Sequence, residues 1–187
     1  MRKLVATFFS SIDGVVDSPQ DWHFPYMDEE VMGTIGSSFS GADALLLGRA
    51  TYQEWEAFWP HQPSDGGVGD FINNTPKYVA SSTLESVTWR NTTLLAGDLG
   101  AAVRRLKARP GGTIVVNGSG TLVRALLRER LVDELRLLVH PVVVGVGKHL
   151  FEQGTEPVGL DLVEMRRFDT GVLSLVYGLA GVTRKAA

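Results

Sequence analysis

The chain has no cysteine among its 187 residues. That excludes disulfides, thiolate zinc sites, iron–sulfur clusters and a cysteine nucleophile together, and it suits a cytoplasmic protein. A basic block is also missing. Eighteen Lys and Arg stand against 21 Asp and Glu, both signs scattered, for a formal net charge of -3. The electrostatic footprint of a nucleic-acid binder is therefore absent. No hydrophobic run is long enough to span a membrane: the most apolar window, "LRLLVHPVVVGVG", is short and carries Arg136 and His140. The opening "MRKLVATFFSSIDG" places basic residues before an apolar run, yet it reaches Asp13 without a small-residue cleavage site and alternates as a strand does. The four histidines show no metal-ligand spacing, so no metal site is expected.

What remains is an ordinary globular composition, 44% hydrophobic and 21% charged, with glycine raised to 21 residues. The length predicts one domain, 1–187, with a full core. Continuous apolar runs at 4–9, 44–48, 77–81, 113–117 and 134–144 read as strands covered on both faces, as in a parallel sheet. Helical patterns lie between them at 28–39, 50–58, 98–109 and 121–131. The first opens with Asp28-Glu29-Glu30, and the third runs from Asp98 to a basic end, each matching the helix dipole. Two alternating segments flank Asp169-Thr170-Gly171 and predict a C-terminal antiparallel hairpin.

Two strand-to-helix junctions carry glycine: Gly48-Arg49-Ala50-Thr51, and Asn117-Gly118-Ser119-Gly120 followed by Thr121. Glycine lets a ligand approach the backbone, and a helix N-terminus offers unpaired N–H groups and a positive dipole end. A pair of phosphates fits that arrangement; a plain βα turn is the alternative for either junction alone. Neither is a standard fingerprint, since Val123 stands where a Rossmann motif has its third glycine, and Gly145-Val146-Gly147-Lys148-His149 lacks the upstream glycine of a Walker motif. Ser81-Ser82-Thr83 closes the strand at 77–81 and, with Arg49, makes a plausible site for a 2′-phosphate.

With these motifs the chain resembles the dihydrofolate-reductase-like family, and within it the stand-alone bacterial proteins similar to the C-terminal reductase domain of riboflavin biosynthesis. The resemblance covers nearly the whole chain. It rests on Ser11-Ile12-Asp13-Gly14, Gly48-Arg49-x-Thr51-Tyr52-x-x-Trp55, Pro76-Lys77-Tyr78-Val79-x-Ser81, Asn117-Gly118-Ser119-Gly120, and Pro141-Val142-Val143-x-Gly145-x-Gly147-x-x-Leu150-Phe151. It implies a three-layer α/β sandwich and NADPH laid along the carboxyl edge of a mainly parallel sheet. Arg49 and Ser82, with Ser81 beside them, face the 2′-phosphate; Gly48 and Thr51 hold the pyrophosphate. Gly118, Ser119, Gly120 and Thr121 contact pyrophosphate and ribose, with Ala6 near the carboxamide. It implies a homodimer as well.

The segment 11–30 is expected over the nicotinamide. Asp13 either contacts a substrate hydroxyl or shapes an Asp-Gly turn. Trp22, Phe24 and Tyr26 either stack a flat heterocycle or pack. Asp28, with Glu29 and Glu30, either supplies a proton or only partners the dipole. No arginine lies between Arg49 and Arg90, so the usual anchor of a folate tail is missing, and Val15 stands where the riboflavin-pathway uracil reductases carry lysine. The reading is an NADPH-dependent reductase of a small flat substrate, with hydride transfer to C=N or C=O. A non-catalytic nucleotide-binding module and an interaction protein with purely structural turns are the alternatives.

Overall fold

The computed structural model describes residues 1–64, 66–152 and 156–181. Strand β1 (Leu4–Ser11) leads through two short 3₁₀ turns, Pro19–Asp21 and Phe24–Tyr26, to helix α1 (Glu29–Ser38). Asp28 caps that helix, its Oδ1 accepting from the Val31 amide at 2.8 Å. Strand β2 (Ala42–Gly48) runs straight into α2 (Arg49–Phe58), and α3 (Val68–Asn74) precedes β3 (Lys77–Ala80). Then come β4 (Thr92–Leu95), α4 (Leu99–Ala108), β5 (Thr113–Val116), α5 (Gly120–Arg128) and β6 (Glu134–His140). The antiparallel pair β7 (Leu160–Arg167) and β8 (Leu173–Leu179) closes the described chain.

One eight-stranded sheet results, in the order β4-β3-β2-β5-β1-β6-β8-β7. Strands β1 to β6 pair in parallel, and β8 joins β6 antiparallel. Alternation along each strand feeds two faces. Leu4, Ala6 and Phe8 of β1 join Leu46, Ile114 and Val116 against α4 and α5, where Val103, Leu106, Val123 and Leu126 are buried. The opposite face divides: Leu45, Leu47, Val79 and Val115 pack with Tyr52 of α2 and Ile72 of α3, while Leu138 packs with Val31 of α1 and with Phe168. Burying each such aliphatic side chain contributes about 1.5–3 kcal/mol. The expected α/β sandwich, mainly parallel with an antiparallel C-terminal hairpin, is the fold observed.

Three local expectations need correction. The strand predicted over 134–144 ends at His140, because Pro141 has no N–H for the ladder and the Val142 amide turns back to His140 O at 2.7 Å. Helix α3 and strand β4 were not predicted: the helix has only seven residues and no side-chain cap, and "TTLL" is a four-residue edge strand. Short elements of this kind are fixed by their neighbours rather than by their own pattern. Here that neighbour is Lys77, fully buried, whose Nζ donates to the carbonyls of Ile72, Asn73 and Thr75 at 2.9, 3.1 and 2.9 Å and so ties off the end of α3. The same ammonium lies 4.4 Å from the Trp89 ring centroid, anchoring the approach to β4.

Candidate functional site

Four neighbouring strands, β3, β2, β5 and β1, end in the segments that carry Ser81, Gly48-Arg49, Gly118-Ser119 and Ser11–Gly14. At about 4.8 Å per strand, these junctions form a row about 14 Å long on the carboxyl edge of the sheet. Gly48 pairs in register with Ala80, so Arg49 and Ser81 are the next residues on adjacent strands. Arg49 is exposed, and no ion pair holds it among the described residues. Ser81 Oγ accepts from the amides of Thr83 and Leu84 at 3.1 and 3.0 Å, which shapes the loop and leaves Ser82 exposed.

At the centre of the row the two glycine junctions touch. The Gly48 amide donates to Gly118 O at 3.0 Å. A Cβ on Gly48 would sit 2.7 Å from Ser119 Oγ, and one on Gly118, whose φ is +138°, would sit 2.5 Å from Thr51 Oγ1. Only glycine allows this approach. It brings the N-termini of α2 and α5 together, with Ser119 capping α5 through the Leu122 amide at 3.4 Å. The amides at the start of both helices have no partner within their helix, and the two dipoles point the same way, so the junction favours negative charge. Thr121, in the first turn of α5, is exposed and accepts from Arg124 Nη2 at 3.1 Å. Ala6 is fully buried against α4 and α5, so only its backbone is within reach of a ligand on this edge.

Beside the row a cleft reaches the sheet itself. Strand β1 lies between β5 and β6, yet Thr7 and Phe9 are only partly buried. A central strand shows side chains to solvent only where the covering layer parts. It parts between the α1 cluster and the α2–α3 cluster, which share this face without merging. The floor there is polar. Glu134 receives Lys3 Nζ at 2.6 Å on one oxygen and Arg136 Nη2 at 2.6 Å on the other. Burial pushes the Glu134 carboxyl up, but the hydrogen bonds from Lys3 and Arg136 outweigh it and hold its pKa low.

The three acid or aromatic residues expected over the nicotinamide lie around this cleft, each already engaged. Asp13 accepts from Ser11 Oγ at 2.6 Å and from the amides of Gly145 and Val144 at 2.8 and 3.1 Å. These bonds, Ser11 foremost, bring its carboxyl down to about 2. They pin the loop after β6 to the loop after β1, where Val15 and His149 form a bridge. Asp28 caps α1, and Glu30 pairs with Arg166. Trp22 is buried with its Nε1 donating to Asp17 O at 3.1 Å.

The sequence reasoning passed over His23 and His140. Both are buried in a ring cluster with Phe9 and Trp22, the two imidazole centroids 6.1 Å apart. Burial lowers both pKa values and keeps the rings neutral. Nothing in their spacing, 117 positions apart in the chain, foretells that meeting. Among the described residues no cluster of His, Cys, Asp and Glu could hold a metal, and no helix is long and apolar enough to cross a membrane.

Comparison with known proteins identifies the family. The RibD C-terminal domain profile matches residues 2–174. The chain belongs to the RibD C-terminal domain family. Two proteins of Bacillus subtilis (strain 168), both uncharacterized, are similar along nearly their full lengths. YyaP is 28% identical over 183 residues, 94% of each chain, and YwjB is 29% identical over 174 residues, 91% of this chain and 95% of its own. Among solved structures, a Shewanella sp. PV-4 protein provisionally named for riboflavin biosynthesis superposes with a TM-score of 0.76 at 19% identity, covering 95% of this chain and 98% of its own. Dihydrofolate reductase from Enterococcus faecalis, solved with NADP(H), superposes with a TM-score of 0.65 at 16% identity, covering 95% and 96%. The chain thus shares its fold with both of these solved structures.

Proposed function

We propose that the protein is an NADPH-dependent reductase that acts on a small flat substrate in the cleft between α1 and α2. The meeting of two glycine-bearing helix N-termini, Gly48 against Ser119 and Gly118 against Thr51, supports this reading most directly. The residues present fit the cofactor: the glycines leave the backbone open, and the amides after Gly48 and after Gly118 offer donors to a pyrophosphate. Arg49 and Ser82 at the neighbouring strand ends would hold a 2′-phosphate. NADPH, when bound, supplies the hydride.

The chain's own groups do the rest. The laced loops 11–17 and 141–150, held by Asp13, wall the end of the cleft, and neutral His23 and His140 with Phe9 and Trp22 keep that wall dry. A dry, fixed site strengthens every dipole aimed at developing charge. With Asp13 and Asp28 both occupied as acceptors, the proton that completes reduction of a C=N or C=O comes from a water at the open side of the cleft, away from the dry loop wall. The same proposal includes a cytoplasmic setting and a homodimer, the latter favoured by Leu162, Val163 and Met165 exposed on the edge strand β7.

Titration with NADPH and NADH, followed by nicotinamide fluorescence, tests the reading. Arg49→Ala should weaken NADPH at least tenfold and leave NADH within about twofold, because only the former carries the 2′-phosphate that the guanidinium would meet. If neither nucleotide binds, the reductase reading fails.

A further inference from the structure

Away from the glycine junctions, a cavity of about 490 Å³ is lined by Glu56, Pro60, Asn73, Thr88, Trp89 and Arg90. It lies at the opposite edge of the sheet. Asn73 stands just ahead of β3 and Thr88–Arg90 just ahead of β4, and the first residues of those parallel strands, Lys77 and Thr92, pair with each other. Helix α2 joins the two edges. It starts at the Gly48 junction, its ten residues span about 15 Å, and Glu56 sits in its last turn.

Two opposite charges line this cavity without meeting. Glu56 Oε1 accepts from Tyr52 Oη at 2.5 Å and from the Thr88 hydroxyl. Tyr52 is buried, and its Oη accepts in turn from the Thr88 amide at 3.0 Å, so the carboxylate has rigid partners. Burial pushes the Glu56 carboxyl up, but the hydrogen bonds from Thr88 and Tyr52 outweigh it and keep the group ionised. Arg90 is held separately. Its Nε donates to Asn73 O at 3.2 Å, and among the described residues its two terminal nitrogens have no acceptor and no ion pair holds it. Asn73 is itself fixed, with Oδ1 accepting from Trp89 Nε1 at 3.2 Å and Nδ2 donating to Trp59 O at 2.9 Å. The nearby ammonium of Lys77 is buried and spent on three carbonyls. Each charge is thus tethered by its own bonds, which keeps the carboxylate and the guanidinium from closing on each other.

We propose that this cavity is a second ligand site, which takes a small zwitterion: an α-amino acid with an aliphatic side chain. The ligand's ammonium donates to the Glu56 carboxylate. Its own carboxylate accepts from the two terminal nitrogens of Arg90, the planar fork that suits a carboxylate best. Its side chain lies against Pro60 and Trp89. A ligand with only one of the two charges leaves the other protein group to water, so full affinity needs both.

L-Leucine is the probe, set against 3-methylbutylamine, which lacks the carboxylate, and 4-methylpentanoate, which lacks the ammonium. Calorimetry and two-dimensional NMR on the full-length protein at neutral pH should show leucine bound at least about tenfold tighter than either, since each loses one charge-assisted contact. The amides of Thr88, Trp89 and Arg90 should shift. Glu56→Gln keeps an acceptor for Tyr52 and Thr88 and should leave leucine no tighter than 4-methylpentanoate. Arg90→Gln should leave it no tighter than 3-methylbutylamine. Saturating NADPH should not change leucine affinity, because the glycine junctions lie at the other edge of the sheet. No saturable leucine binding, equal binding of the three compounds, indifference to both substitutions, or displacement by NADPH overturns the proposal. A protein that binds leucine in this pattern but no nicotinamide nucleotide keeps the second site and loses the reductase reading.

Discussion

Replacing Gly118 with alanine tests the contact that joins the two helix N-termini. Two costs follow from the geometry. The backbone there has φ +138°, a region that an L side chain occupies at about 1–3 kcal/mol. The new methyl would also lie 2.5 Å from Thr51 Oγ1, and relieving such overpacking costs about 1–3 kcal/mol more. Together Gly118→Ala should destabilise by about 2–6 kcal/mol. At about 2–4 °C per kcal/mol for a chain of this size, Tm should fall by roughly 5–20 °C. The two parts are separable. Thr51→Ala removes Oγ1 and Cγ2, leaving only a Cβ at 3.5 Å, and should cost little by itself. Combined with Gly118→Ala it should recover the steric part, a coupling of about 1–3 kcal/mol in a double-mutant cycle. Thr51→Val keeps the bulk and should recover nothing. Thermal and urea unfolding of the four proteins give the cycle. A Gly118→Ala protein as stable as the wild type, or a Thr51→Ala background that recovers no stability, would refute the argument that the junctions are in contact.

Two further outcomes are expected. Asp13 is held down to about 2 by Ser11 and the amides of Gly145 and Val144, against an ordinary value of 3.8. The unfolded chain therefore binds the proton first as pH falls, and the stability that Asp13 contributes is complete above about pH 4 and lost between there and pH 2. Asp13→Asn should flatten Tm against pH in that window while lowering it at neutral pH; an unchanged acid limb would show that Asp13 does not clamp the loops. Lys77→Met should cost about 2–4 kcal/mol, since it leaves the carbonyls of Ile72, Asn73 and Thr75 without their donor inside an apolar cluster. Urea unfolding that shows a loss below about 1 kcal/mol would mean that the end of α3 does not depend on this lysine.

How much of the molecule is legible in the sequence depends on how local its causes are. The strands at 4–9, 44–48 and 113–117 are readable because each is largely buried on both faces and so forms a mainly apolar run. The glycine junctions are readable because a βα turn close to a neighbouring backbone demands glycine. That Gly48 and Gly118 face each other is not readable, because their contact depends on β2 and β5 being neighbours although 64 residues separate β2's last residue from β5's first. The same holds for His23 and His140, and for the carboxylate of Asp13, which looks like a catalytic acid until the amides of Val144 and Gly145 reach it across 131 and 132 positions.

The strand order sets the history of the molecule as well as its shape. Of the strands in the sheet β1 is made first, yet it ends between β5 and β6, so its two edges find partners only after residues 113–116 and 134–140 have been made. The β2–β3–β4 unit, by contrast, is contiguous and can pair as soon as it emerges. The first strand must therefore wait, largely apolar and open on both edges, for more than half of the chain. Contacts of such high sequence separation slow folding and prolong the exposure of aggregation-prone edges. Of the strands in this sheet, the one that carries the floor of the cleft is the first to be made and among the last to be enclosed.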